Sequence, residues 1–137
     1  MEKSQRRTIG PISPFFISSD VPRAVEFYCE GLGFEVRFAE PSEGPFFAIV
    51  GRDGVQIYLK DPRRGHSEAI RPQPNPTRHE WAPWDAFVFV ADPDALAAEF
   101  ASRAAGLPTE IRDREDGLRG FEIRDPDGYV LFFGRPA

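Results

Sequence analysis

The chain has 137 residues, of which 41% are hydrophobic, 28% charged and 13% aromatic, so it can build one compact domain and is too apolar to be disordered. Its net charge of −5 and the scatter of its basic residues exclude a typical nucleic-acid-binding surface. No apolar run approaches the roughly 18 residues that cross a bilayer, and the charged segment Met1–Arg7 lacks the apolar stretch of a secretory signal, so we expect a cytoplasmic protein with no membrane segment.

The first half of the chain predicts one helix among four strands. Asp20 stands where a helix N-cap is expected, with Pro22 in the first turn behind it. Asp53-Gly54 is typical of a tight hairpin turn. Apolar residues recur at helical spacing after the N-cap, as in a helix that packs one face on a sheet. They are Val21, Val25, Tyr28 and Leu32. Stretches rich in aromatic and β-branched residues predict the strands. They are Phe15–Ile17, Phe34–Ala39, Phe46–Val50 and Val55–Lys60.

The second half repeats this order. Asp92 with Pro93 answers Asp20 with its proline, at an offset of 72 residues, and Asp127-Gly128 answers Asp53-Gly54, at an offset of 74. A matching order at a nearly constant offset indicates an internal structural repeat. A helix carrying Leu96 and Phe100 is expected after Asp92. The predicted strands of this half are Phe87–Val90, Thr109–Asp113, Gly120–Arg124 and Tyr129–Phe133.

The segment between the halves, Asp61–Trp84, carries five prolines and both histidines. Such a segment cannot form a central strand or a long helix, so it is either a lid or wall over a pocket or an exposed linker. We interpret His66 and His79 as exposed loop residues, because their spacing fits no metal motif. Cys29, the single cysteine, suits a reducing compartment, and its position within the first helix indicates a structural thiol.

Two motifs resemble the vicinal oxygen chelate superfamily, which includes glyoxalase I, extradiol dioxygenases and bleomycin-resistance proteins. The first is Asp20–Tyr28 (DVPRAVEFY), followed by Gly31-Leu32-Gly33-Phe34, and the second is Phe121–Tyr129 (FEIRDPDGY). The resemblance implies an α+β fold, with two βαβββ modules forming a curved mixed sheet and the helices outside. It implies a single domain over 1–137, with module one at about 11–60, the connector at 61–84 and module two at about 85–135. Bleomycin-resistance proteins are commonly dimers with cups built across two chains, so it also implies a homodimer.

The resemblance locates the positions that hold a divalent metal in the enzymes of this superfamily. These are the first and last strands of each module. Here they carry Ser13, Tyr58, Asp85 or Ala86, and Phe132. Of these, Asp85 is the one plausible ligand of a divalent ion, and one carboxylate does not hold such an ion. We therefore expect no metal site and no cofactor.

Strand alternation places the neighbours of these positions on the same face of the sheet, where they form an aromatic cup with few polar groups. The expected ligand-binding residues are Phe15, Phe38, Gln56, Tyr58, Trp84, Asp85, Phe87, Glu122 and Phe132. Aromatic faces favour a flat or apolar molecule, and carboxylates beside them suit a cation. We therefore predict a metal-free protein that sequesters an aromatic or cationic small molecule, and no catalytic grouping stands out.

Two alternatives remain open at this point. The protein could be an enzyme of the same fold, of lyase, isomerase or dioxygenase type, with an atypical metal site or with Asp85, Glu122 or Tyr58 acting without a metal. It could also be a partner-binding protein in which the aromatic side chains fill the cup and leave no cavity.

Overall fold

Each half of the chain folds as strand, helix and three strands, in a computed structural model that describes residues 8–62, 70–75, 84–104 and 108–137. In module one the elements are β1 (Phe15–Ile17), α1 (Val21–Glu26), β2 (Glu35–Glu40), β3 (Phe47–Arg52) and β4 (Val55–Lys60). In module two they are β5 (Ala86–Phe89), α2 (Pro93–Arg103), β6 (Arg112–Asp113), β7 (Leu118–Arg124) and β8 (Val130–Pro136). The predicted pair of βαβββ modules is confirmed.

The predicted helix starts are confirmed. The Asp20 side chain accepts a hydrogen bond from the backbone N–H of Arg23, and the Asp92 side chain accepts one from that of Ala95, each at 3.1 Å. Proline follows in the first turn of both helices, where its missing N–H removes no hydrogen bond. Helix α1 continues directly as a π-helical turn over Phe27–Gly31, and this turn was not expected from the sequence.

Each module forms its own four-stranded sheet, in the order β1-β4-β3-β2 and β5-β8-β7-β6. The first strand of each module pairs in parallel with the last, and the other neighbours are antiparallel. Residues on one face of each sheet pack under the helices in a shared core, as strand alternation predicts. Buried members of that core include Phe16, Ile57, Leu59, Phe121, Ile123, Leu131 and Phe133. The opposite face, which we call the outer face, points away from the helices.

The modules pack on each other through the hairpin between β7 and β8. The ring of Tyr129 stacks on Phe16, with centroids 4.1 Å apart, and the Tyr129 hydroxyl donates to the carbonyl of Ile17. The Tyr28 hydroxyl donates to Asp125 Oδ2 at 2.8 Å. The Ser19 hydroxyl and N–H both donate to Asp127 Oδ1. The DPDG motif therefore serves as the contact between the two halves as well as a turn.

Several element bounds differ from the sequence prediction. Strand β6 has two residues, Arg112 and Asp113, instead of the five of Thr109–Asp113. Thr109 still contacts β7, because its N–H donates to the carbonyl of Glu122 at 3.1 Å, but regular pairing with β7 begins at Arg112. Strand β7 begins at Leu118, two residues before its predicted start. Strand β8 runs from Val130 to Pro136, so it begins one residue later and ends three residues later than predicted. In the described part of the chain, no helix has the length and apolarity needed to cross a bilayer.

Candidate functional site

The outer face of module one carries a cluster of partly exposed rings. Phe15 is 59% exposed and stacks on Tyr58 with 5.7 Å between centroids. Phe38 is 48% exposed, and its centroid lies 5.8 Å from that of Phe47. Phe47 also contacts Phe15 and Tyr58, at 6.3 and 5.9 Å. These four residues, which we call the platform, offer aromatic surface that nothing in the described part of the chain covers fully.

Gln56 lies two residues before Tyr58 on β4, on the same face of the sheet and nearer the hairpin between β3 and β4. Its Oε1 accepts a hydrogen bond from Arg37 Nη1 at 3.3 Å, and Arg37 also donates to the carbonyl of Asp53. The amide is therefore held beside the platform, with its NH₂ group able to donate to a ligand.

The outer face of module two carries rings that cover one another. Phe132 is 1% exposed and lies under Trp84, with centroids 4.1 Å apart and ring planes inclined by 22°. Phe87, on the edge strand, is 46% exposed and stacks on Phe132 at 5.5 Å. We call these three residues the ring stack. Its lowest ring, Phe132, fills the space over Gly120 and Gly134, where an added Cβ would lie 2.6 and 2.5 Å from ring carbons.

The two predicted carboxylates of the cup are both engaged in hydrogen bonds. Asp85 Oδ2 accepts from the N–H of Val130 at 2.8 Å, and Oδ1 accepts from the N–H of Asn75. Glu122 Oε2 accepts from Trp84 Nε1 at 2.8 Å. Asp85 therefore fixes backbone, and Glu122 orients the top ring of the ring stack. In the alternative interpretation, in which Asp85 and Glu122 act as an acid–base pair, both carboxylates would have to act while accepting these hydrogen bonds from the protein.

The structure divides the nine predicted site residues between two surfaces. Phe15, Phe38, Gln56 and Tyr58 share the outer face of module one, and Trp84, Asp85, Phe87, Glu122 and Phe132 belong to module two. Among the described residues, no ring contact joins the platform to the ring stack. Within one chain the site therefore consists of two half-sites.

Sequence reasoning missed one cation beside each half-site. Lys60 Nζ lies 5.9 Å from the ring centroid of Phe47, and the Arg114 guanidinium lies 5.0 Å from that of Trp84 and 5.4 Å from that of Phe132. Alternation along β4 places Lys60 two residues after Tyr58 on the same face, so that cation was detectable from the sequence. Arg114 lies in the β6–β7 turn, where no periodicity indicates a direction.

A cavity of about 220 Å³ opens beside the ring stack. Its lining includes Glu122, Arg114 and Phe132, with the exposed residues Glu110, which precedes β6, and Arg112, on β6, at its rim. A larger cleft of about 400 Å³ lies between the modules, lined by apolar residues such as Val55, Val88, Leu96 and Phe100. The second cleft belongs to the helix side of the sheets, away from the platform.

The residues at the superfamily's metal positions do not fit a metal ion. Phe132 has no lone pair and is buried under Trp84, and the Asp85 oxygens accept backbone hydrogen bonds. In the described ranges, no group of three or more His, Cys, Asp or Glu side chains is arranged to hold an ion. His66 and His79 lie outside the described residues. Structural zinc and catalytic metal sites generally need at least three protein ligands, and this donor set does not supply them.

Two buried groups with raised pKa values, Asp125 and Tyr28, lie at the contact between the modules. Burial raises the pKa of Asp125 to about 6, although hydrogen bonds from Tyr28 and backbone N–H groups favour its charged form. Burial, followed by the charge of Asp125, raises the pKa of Tyr28 well above its ordinary value. Burial also raises the pKa of Cys29, which argues against a reactive thiolate. Tyr28 belongs to the core and Cys29 packs against it, and the described hydrogen bonds of Asp125 are to Tyr28 and to backbone N–H groups of its own hairpin, so none of the three contacts a predicted ligand-binding residue in the described part of the chain.

The described part of the connector packs against module two. The N–H of Gln73 donates to the Tyr129 hydroxyl at 2.9 Å, and Asn75 contacts Asp85 and the carbonyl of Trp84. Residues 70–75 are therefore tied to module two by hydrogen bonds, and none of them is among the lining residues of the two cavities described above.

The comparisons with known proteins agree with this geometry. The family model described as the glyoxalase/bleomycin resistance protein/dioxygenase superfamily matches residues 9–133. A bleomycin-binding protein from Streptomyces verticillus, solved with copper(II)-bleomycin, is 26% identical with a TM-score of 0.63, covering 96% of this chain and 99% of its own. An antibiotic-binding protein from Streptomyces sp. CB03234 is 20% identical with a TM-score of 0.61, covering 96% and 100%.

A glyoxalase-related enzyme from Clostridium phytofermentans has a TM-score of 0.70 at 17% identity, covering 96% of this chain and 98% of its own. Binding proteins and enzymes are thus among the structures similar to this chain, so the shared fold does not separate the two functions. No curated protein sequence matches the chain significantly.

Proposed function

The chain belongs to the glyoxalase/bleomycin resistance protein/dioxygenase superfamily, and we propose that within it the protein is a metal-free small-molecule-binding protein, in which the aromatic half-sites of two chains hold a flat ligand. The observation that carries the proposal is the platform. Large aromatic side chains left 48–59% exposed on one sheet face are unfavourable in water unless something covers them.

The solved relatives support a natural product of antibiotic type as the ligand. The bleomycin-binding protein and the antibiotic-binding protein from Streptomyces cover nearly the same length as this chain. Stacking on the platform is worth about 0.5–1.5 kcal/mol per aromatic pair beyond the area that it buries, so several rings can together give micromolar binding. A planar aromatic molecule uses that surface best.

A homodimer completes the proposed site. Strands β1 and β5 are sheet edges in the described residues, and Phe87 and Phe89 project from β5 with 46% and 66% of their surface exposed. Exposed edges that carry large apolar side chains are prone to pair with another chain. Pairing of β1 with β5 of a second copy would bring the platform of one chain towards the ring stack of the other, which is a two-fold arrangement.

The dimer is tested with Phe89→Glu. A charge in an apolar interface is strongly unfavourable, so we expect the wild type to elute as a dimer and the variant as a monomer in light-scattering chromatography. Val36→Glu is the matched control, because Val36 is 48% exposed but belongs to β2, away from β5. A monomeric wild type would refute the shared site.

Binding is tested by thermal shift with planar polycyclic aromatic compounds, including antibiotics. A ligand present at 100 times its Kd stabilises the folded state by about 2.7 kcal/mol, which raises Tm by several degrees. The double variant Phe15→Ala, Tyr58→Leu removes two of the four platform rings and should lose most of this shift, whereas Val36→Ala should keep it. Silence of the wild type across the panel would count against a binding function.

The absence of a metal is tested by elemental analysis of protein purified without chelator. We expect no stoichiometric zinc, iron, manganese or nickel. One equivalent of any of these would favour an enzyme of the same fold, with ligands beyond the superfamily positions.

A further inference from the structure

The cavity beside the ring stack holds opposite charges that do not pair with each other. Arg114 and Glu122 both line it, yet within the described part of the chain no ion pair at 4.0 Å or less connects them. A charged group beside a cavity is stabilised when it pairs with an opposite charge. Because Arg114 and Glu122 do not pair with each other, each can pair with the opposite charge of a molecule that carries both.

Arg114 is held in place from one side only. Its Nε donates to both oxygens of Asp116, at 3.3 and 3.1 Å, and Asp116 is itself fixed by the N–H of Leu118. The guanidinium lies against Trp84 and Phe132, and 20% of the side chain is exposed. Nη1 and Nη2 donate to no described residue, and this edge is the one that can bind a carboxylate through two parallel hydrogen bonds.

Glu122 also has, among the described residues, one carboxylate oxygen with a side-chain partner and one without. Oε2 accepts from Trp84 Nε1, whereas Oε1 accepts from no described residue. The remaining oxygen, Oε1, can accept a charge-assisted hydrogen bond from an ammonium group. The ring stack therefore has a fixed hydrogen-bond donor edge and a fixed acceptor oxygen at its side.

We propose that this cavity binds the zwitterionic, amino-acid-like end of an aromatic ligand, with its carboxylate on the Nη1/Nη2 edge of Arg114 and its ammonium group on Glu122 Oε1. The inference rests on the proposed binding function and defines the chemical class of its ligand. It refines the aromatic or cationic ligand predicted from the sequence, because the cavity carries Arg112 and Arg114 as well as Glu110 and Glu122, and a lone cation would meet the positive charge of both arginines. A lone anion would meet Glu122.

Four indoles with one ring and different charges test the proposal: L-tryptophan, tryptamine, indole-3-propionate and 3-methylindole. Binding to the full chain is followed by ¹H–¹⁵N NMR, where the Trp84 Nε1–H signal reports directly on the hydrogen bond to Glu122. We expect tryptophan to bind about tenfold more tightly than tryptamine or indole-3-propionate, because each charge-assisted contact contributes about that factor. We expect 3-methylindole to bind most weakly.

Single-charge variants then assign each contact. Arg114→Gln should weaken tryptophan and indole-3-propionate about tenfold and leave tryptamine unchanged, and Glu122→Gln should weaken tryptophan and tryptamine but not indole-3-propionate. Glutamine at 122 keeps an acceptor for Trp84 Nε1, so the ring stack is retained. Arg124→Gln and Glu43→Gln are matched controls, because both positions are exposed and neither lines the cavity.

The outcomes separate this inference from the function on which it rests. If 3-methylindole binds as tightly as tryptophan, or if planar dyes bind and no indole does, the zwitterion site is wrong and the binding function stands. If neither the dyes nor the indoles bind, both proposals fail.

Discussion

The two modules share one order of elements but differ in how they cover the central ring of the outer face. Module one leaves Phe15 and Phe38 about half exposed, whereas module two buries Phe132 under Trp84 to 1% exposure and leaves rings exposed on its edge strand, at Phe87 and Phe89. The helix sides differ too. The module-two hairpin packs through buried Asp125, whereas the module-one hairpin binds α2 through the partly exposed Arg52–Glu99 pair. Module one therefore presents partly exposed rings, whereas in module two Arg114 and Glu122 lie beside a ring stack whose central ring is buried.

The largest expected difference comes from removing one ring from each half-site. Phe132→Ala should lower the free energy of unfolding by about 3–5 kcal/mol, because it empties a buried site between Trp84 and the strand glycines. Phe15→Ala should lower it by less than about 1 kcal/mol, since the ring is 59% exposed. Urea unfolding of both variants measures the difference, and equal losses would contradict the assignment of the two faces.

The second largest difference is expected between the contacts of the two hairpins, in how much each contributes to the free energy of unfolding. Tyr28→Phe removes the hydrogen bond to buried Asp125 and should cost about 1–3 kcal/mol, because a buried carboxylate oxygen loses its partner. Glu99→Gln should cost about 0.5 kcal/mol, since the side chains of Glu99 and Arg52 are 33% and 29% exposed and water screens the pair. Both are read from chemical denaturation at pH 7. A Glu99 variant as unstable as the Tyr28 variant would show that the hairpins contribute equally.

The smallest effect is a pH dependence confined to the module-two hairpin. The pKa of Asp125 is raised from 3.8 to about 6 in the folded state, so the folded chain binds this proton more tightly than the unfolded chain. Stability should therefore rise as pH falls through 6 towards 4, by about 1 kcal/mol between pH 7 and pH 5.

Asp125→Asn is the control for this prediction, because an amide cannot titrate and should flatten the profile between pH 7 and pH 5. The carboxylates whose pKa is lowered, Asp94 and Glu99, lose their stabilising contribution only at lower pH. A wild-type stability that falls from pH 7 to pH 5 would contradict the buried position of Asp125.

Local sequence signals were sufficient for the architecture. An N-cap aspartate with proline behind it determines where each helix begins, and strand alternation separates Phe15 from Phe16 and Phe87 from Val88. These features depend on neighbours within a few residues, so the repeat, the core face and the outer face could all be predicted.

The separation into two half-sites could not be predicted, because it depends on how the modules pack. Tyr28 and Asp125 are 97 residues apart, and no local pattern indicates that they meet. The cover that Trp84 provides over Phe132, and the arrival of Arg114 from a turn, are likewise tertiary contacts. The sequence therefore predicted the residue types of the candidate site but not which of its charged groups have a partner within the protein.

The strand glycines beneath Phe132 limit which substitutions this sheet tolerates. A Cβ at 120 would lie 2.3 Å from the carbonyl oxygen of Phe133, a Cβ at 134 would lie 2.5 Å from that of Arg119, and both would also meet the Phe132 ring. The backbone and the ring therefore each require glycine at these two positions, so a smaller residue at 132 would not make room for a side chain there. A library randomised at 120, 132 and 134 should accordingly recover glycine at 120 and 134 even in clones that have lost the phenylalanine.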